Sequence, residues 1–449
     1  MMNWKRGLMV VPLAVSLVIP GTMTVNADDH DSQKMEPTVQ NEAIDLRATL
    51  DHYLSEHAFL AVEAMRKGAD GAEDYDAIVA ALNENTEDLT GAIESVYGED
   101  AGQQFNQMWS DHIGFFVDYV MATAEEDEEG KQAALDELAQ YKNEFSEFLE
   151  TATGERLEAE SLAEGLQMHV NQLIGAFDAY VAGDYETAYE YEREAIGHMY
   201  MVSKGLSTAI ADQFPDKFNE MSPATAAADL RSDLNNLLSE HAGLAVMTMQ
   251  NGIDGSEDFD ASAAALSNNT DDLAAAISSI YGEEAGQKFK EMWAAHIGNF
   301  VEYVQATGAE DEEAKQAALD ALDQYRTDFS TFLENATDER LESDALAEGL
   351  QMHVNQLIGA FDNYVAGDYE MAYDNTREAY AHMFNPAEGL STAFVDQFPD
   401  KFQEKSPSEM PKTGLAPADE GMSTFGITAL IGILAAIVAT GFYIRRSEQ

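Results

Sequence analysis

The chain of 449 residues contains no cysteine. Disulfides, thiolate-bound metals and cysteine nucleophiles are therefore excluded. Basic residues are scarce: 24 Lys and Arg stand against 83 Asp and Glu, a formal net charge of −59. Phosphate contacts need cations, so nucleic acid, polyanions and anionic lipid are excluded as partners. The acidity runs along the whole chain instead of gathering in a tail. That distribution reads as a solvated surface suited to high salt, where self-repulsion is screened. Proline is sparse, at 10 residues, and no sustained alternation of apolar and polar positions marks a strand. No glycine-rich phosphate loop, nucleophile elbow or His-Glu-x-x-His helix is present.

What remains is helix. Ala, Leu, Glu, Gln and Met are abundant, and all favour that state. The chain also repeats itself: residues 43–218 align with 227–402 at a constant offset of 184, without a gap. LAEGLQMHVNQLIGAFD occurs unchanged at 162–178 and 346–362. In the first copy the apolar periodicity predicts helices near 43–67, 74–97, 100–124, 129–151, 155–182 and 185–210. Gly68, Gly71, Gly98, Gly154 and Gly183 punctuate them. Short connections favour antiparallel neighbours, so the expected fold is all-α, two tandem homologous up-and-down helical bundles. A polar lead-in (28–42), a linker (219–226) and a tail (403–423) flank the repeats.

Histidines sit where leucine would pack. His57, His112, His169 and His198 each lie on the apolar stripe of a different helix by three-and-four spacing. His241, His296, His353 and His382 repeat them in the second copy. At 1.5 Å per residue, all four of a set fall near the middle of helices roughly 36–40 Å long, so the imidazoles should meet. A lone core histidine is usually a hydrogen-bonded structural residue. Four at one level are harder to accommodate, since each buried imidazole needs polar partners. Asn85 and Asn269 face inward and are candidates for that partnership.

Imidazole suits copper, zinc, iron and nickel. The Glu-x-x-His pairs of a di-iron bundle are missing. Met65, Met108, Met168 and Met199 lie near the histidines, and Met249, Met292, Met352 and Met383 repeat them. These are candidate thioether ligands that would favour copper, though methionine is also an ordinary core filler. Haem b held by two histidines is the competing cofactor. The acidic run 125–129, with its counterpart 310–313, lacks calcium-loop spacing and reads as a solvated turn.

The two ends carry an address. Lys5 and Arg6, an apolar run over 7–19 and Val25-Asn26-Ala27 read as a secretory signal peptide, residues 1–27. Residues 424–444 are long and apolar enough to form a transmembrane helix, with Arg445 and Arg446 holding the tail 445–449 on the cytoplasmic side. Just upstream, Met410-Pro411-Lys412-Thr413-Gly414 resembles the LPXTG sorting signal of Gram-positive surface proteins, with Met for the usual Leu. That resemblance implies cleavage between Thr413 and Gly414 by a sortase and attachment to peptidoglycan in the cell wall. The membrane would then be met only through the C-terminal segment, before cleavage. The helical units are also similar to Gram-positive surface proteins labelled copper amine oxidase. That chemistry needs a Thr-x-x-Asn-Tyr-Asp/Glu segment, and Asn363-Tyr364-Val365 lacks both the Thr and the acid. Amine oxidation is not supported. The expectation is a secreted wall protein that binds a transition metal or haem for capture, storage or electron transfer. The alternative is a structural spacer with purely structural core histidines.

Overall fold

The computed structural model describes residues 36–403. The expected signal peptide, the expected sorting signal with Thr413 and Gly414, and the expected transmembrane segment 424–444 lie outside them. Among the described residues there is no strand, and no helix is long and apolar enough to cross a membrane.

The first repeat forms α1 (Glu42–Asp70), α2 (Tyr75–Tyr97), α3 (Glu99–Ala124), α4 (Glu128–Ala152), α5 (Ala159–Val181) and α6 (Tyr185–Gln213). The second forms α7 (Ala226–Asp254), α8 (Phe259–Tyr281), α9 (Glu283–Gly308), α10 (Glu312–Ala336), α11 (Ser343–Ala366), α12 (Tyr369–His382), α13 (Phe384–Gln397) and the short α14 (Pro399–Phe402). Consecutive helices pack side by side, and α1 packs against α6 to close the first bundle.

Local chemistry sets the ends. The Asn41 side chain accepts from the Ala43 and Ile44 amides, both at 2.9 Å, and starts α1. Gly71, at φ 58°, ends it in the left-handed region that a side chain disfavours. Gly68, read from sequence as a stop, lies inside α1. A Cβ there would stand 3.1 Å from the Tyr75 ring, so this glycine permits a close approach. The acidic run at 125–129 is a cap: Asp127 accepts from the Glu129 and Gly130 amides at 3.1 Å and starts α4. Asp311 does the same for α10. The sixth helix of the second repeat breaks at Met383, where the first runs through. Pro386 replaces Val202, and its ring cannot sit against the carbonyl of His382 four residues earlier in a continuous helix.

The repeats do not stand apart. From Pro37 onward the described residues belong to one compact unit. Helices α1 and α7 pack against each other at its centre, α6 reaches α8, and α12 reaches α2. Every residue from Leu54 to Lys67 is buried, as is every residue from Leu238 to Asn251. One face of each central helix meets its own bundle and the other meets the partner repeat. One apolar core runs through both copies, joining Leu60 and Phe116 to Val246 and Phe361.

Charged groups cross the contact in exchanged pairs. Arg377 from α12 grips Glu56 of α1 with nitrogen–oxygen distances of 3.2 and 3.1 Å, and also reaches Glu84 and Asp88. Arg193 from α6 grips Glu240 of α7 at 2.9 and 3.0 Å and reaches Asp272 at 2.7 Å. Both glutamates are buried. Removing either arginine would strand a carboxylate in a low dielectric.

Candidate metal centre

Three histidines converge in each bundle. The rows of α1, α3 and α5 that bury Leu54, Phe105 and Leu173 also carry His57, His112 and His169 inward. One nitrogen from each of the three lies within 4.8 Å of the others. His241, His296 and His353 form the same group on α7, α9 and α11. All six rings are 5 % exposed or less.

Aromatic rings enclose the group. The Trp109 ring lies 4.7 Å from both His57 and His112, centroid to centroid. Tyr141 of α4 stacks on His112 at 4.8 Å and 11°. Trp293 and Tyr325 take these places in the second bundle, with Tyr325 on His296 at 4.7 Å and 18°. Trp109 lies three residues before His112 on the same face of α3, but spacing alone gives neither it nor Tyr141 a part in the site. Their recurrence at the offset of 184 was the available signal.

Most buried polar atoms of this centre lack partners. Neither ring nitrogen of His57 or His169 makes a hydrogen bond, and neither does Trp109 Nε1 or the Tyr141 hydroxyl. His241, His353, Trp293 and Tyr325 repeat that pattern atom for atom. Leaving a buried polar group unsatisfied costs about 1–3 kcal/mol. A structural layer of histidines would be bonded to something, whereas here one nitrogen of each ring lies within 4.8 Å of the other two. Asn85 does not serve them: its amide donates to Glu56 at 2.8 Å and to the Tyr53 carbonyl, and Asn269 does likewise with Glu240 and Leu237.

Burial holds the imidazoles neutral, the form that ligates metal. It pushes His112 and His296 down to about 3, with the Trp109 and Trp293 carbonyls pulling weakly the other way. His353 falls to about 3, first through burial and then through His296 and His382. His57, His169 and His241 are lowered well below the usual histidine range by burial and by their neighbouring imidazoles.

His198 stands beside the triad rather than within it. Its Nε2 donates to the Gly165 carbonyl at 3.0 Å, one helical turn before His169 on α5, which places it roughly 6 Å lower along that helix. His382 repeats this with Gly349 at 3.1 Å. The α5–α6 hairpin register, invisible in helix lengths alone, makes the difference. The Nδ1 of His198 is buried and unpartnered. Among the methionines, Met168 and Met352 are about half exposed, at 47 and 50 %, although each precedes a triad histidine. Met65, Met199, Met249 and Met383 are buried in the apolar core, and Met108 and Met292 pack against it. His52, outside the repeated set, lies at the contact between repeats against Tyr53 and Phe384.

Comparison with known protein families, with characterised proteins and with solved structures finds no match to this chain.

Proposed function

We propose that the chain is an exported, wall-anchored metal-binding protein, in which each triad holds one transition-metal ion for capture or storage. The carrying observation is the pair of triads: converging imidazole nitrogens, buried and unpartnered, built identically in both bundles. A spacer needs neither convergence nor orphaned nitrogens. His57, His112 and His169 are the ligands of the first ion, and His241, His296 and His353 those of the second. Trp109, Tyr141 and their counterparts exclude water and fix ring positions. Copper and zinc both suit a three-imidazole donor set. Haem does not fit: a porphyrin needs a wide slot between two axial rings, and here a third imidazole and the Trp109 indole occupy that ground. Burial of the ligands favours holding an ion over turning over a larger substrate. The signal peptide, the LPXTG-like pentapeptide, the apolar segment and the arginine tail, in that order, support export and anchoring through sortase to peptidoglycan.

Elemental analysis of the full chain purified in detergent tests this. Two ions per chain are expected, matching the two triads, and His169→Gln should lower the count by one. His198→Gln, which keeps a donor near Gly165, should leave it unchanged. A metal-free protein after exposure to copper and zinc would return the histidines to a structural role.

A further inference from the structure

We infer that each triad is built for a singly charged soft cation, copper in its cuprous state, and discriminates against divalent ions. This rests on the metal reading above and narrows it. The first observation is the charge inventory. The chain has no cysteine, and no carboxylate oxygen joins either group of nitrogens. The nearest acid along α1, Glu56, has both carboxylate oxygens turned to Arg377 and one also to Asn85. A metal entering the triad therefore brings its whole charge into a neutral site walled by Trp109, Tyr141 and Phe116. The penalty for burying an ion grows as the square of its charge, so a divalent ion of similar size meets about four times that of a univalent one.

The second observation is the missing outer shell. Histidines that ligate a metal generally donate their remaining N–H to a carboxylate, carbonyl or water, and the basicity this adds counts most toward a hard divalent ion. Whichever nitrogen of His57 or His169 binds metal, the other has no protein acceptor. Two of the three imidazoles without an outer acceptor suit a soft ion that asks for few ligands. The third is the indole. Trp109 lies at ring-contact distance from two of the three ligands, at 55° and 71° to their planes, and a polarisable ring beside the site supplies no anion to match a second charge. The two triads share all three features.

The full chain in detergent, freed of metal, is titrated without oxygen with cuprous ion against a coloured cuprous chelator, and separately with cupric and zinc ions. Two cuprous ions per chain are expected, one for each triad, bound at least about a hundred-fold more tightly than zinc. The loaded protein should stay silent in electron paramagnetic resonance after exposure to air. His57→Gln with His241→Gln should abolish cuprous binding while the helical circular dichroism persists. Equal or tighter binding of zinc or cupric ion overturns the inference and leaves the metal reading standing. Failure of all three ions to bind overturns the metal reading itself. The wild-type comparison decides between these results even if the double variant does not fold.

Discussion

Replacing His57 with leucine separates a metal ligand from a structural histidine by the sign of its effect. Both ring nitrogens of His57 are buried and unbonded, each at a cost of about 1–3 kcal/mol. Leucine is of similar bulk, has no polar atom, and would extend the apolar row that contains Leu50, Leu54 and Ala61. Metal-free His57→Leu should therefore be more stable than the metal-free native chain, by about 2–4 kcal/mol once imperfect repacking is allowed for. For a cooperative unit of roughly 370 residues this is a rise in midpoint of about 3–5 °C. Adding metal should reverse the order. The native chain gains about 4.1 kcal/mol per site at a free metal concentration about a thousand times the dissociation constant, while the variant gains this only at its second triad, which outweighs its metal-free lead. Calorimetry with chelator and then with metal gives both numbers. If the metal-free variant melts lower than the native chain by several degrees, His57 is held by bonds the structure does not contain, and the argument from orphaned nitrogens fails.

Acid should destabilise the metal-free protein before it titrates the site. His112, His296 and His353 sit at about 3 in the fold, against about 6.5 when unfolded. The unfolded chain thus binds the extra protons, and the stability present above pH 6.5 is lost as pH falls. Burial pushes Asp51 the other way, to about 6, which offsets one of the three. The net slope for these four groups is about 3 kcal/mol per pH unit between roughly pH 6 and 4, readable as urea midpoints. A midpoint independent of pH there would mean the imidazoles are not buried neutral. Arg377→Ala should destabilise the chain by about 3–5 kcal/mol, because it strands buried Glu56. Adding Glu56→Gln should recover much of that, and a loss below about 1 kcal/mol would mark the pair as a surface ornament.

Much of this was legible in the sequence because the pattern is written twice. The offset of 184 fixed the duplication, and helical period placed the six triad histidines inward. Helix length alone placed His57, His112 and His169 near one level. It failed for His198, whose height depends on the register of the α5–α6 hairpin and not on its distance from a helix start. The periodicity of α1 suggested one buried face. It could not show that Leu54–Lys67 is buried all round, because the second cover comes from a surface 184 residues away. Asn85 looked like a partner for imidazole because it faces inward, but the acid at Glu56 is the stronger acceptor and takes its amide. The break at Met383 was readable from Pro386, had the copies been compared for backbone chemistry as well as side chains.

The traded arginines make each half complete the other, as two subunits do in a symmetric pair, yet here a single chain supplies both. A pair of identical subunits must accept every substitution twice, once on each side of its axis. Fusion lifts that requirement. Glu63, Arg66 and Lys67 in one half correspond to Met247, Gln250 and Asn251 in the other. Arg66 bonds Glu63 and Asp258 in a buried cluster for which the second half has no ionic equivalent at those positions. Lopsided changes of this kind would give a true dimer either two such clusters or none. The tethered arrangement can therefore alter one copy's surroundings while leaving its twin alone, a freedom that a symmetric pair of separate chains does not have.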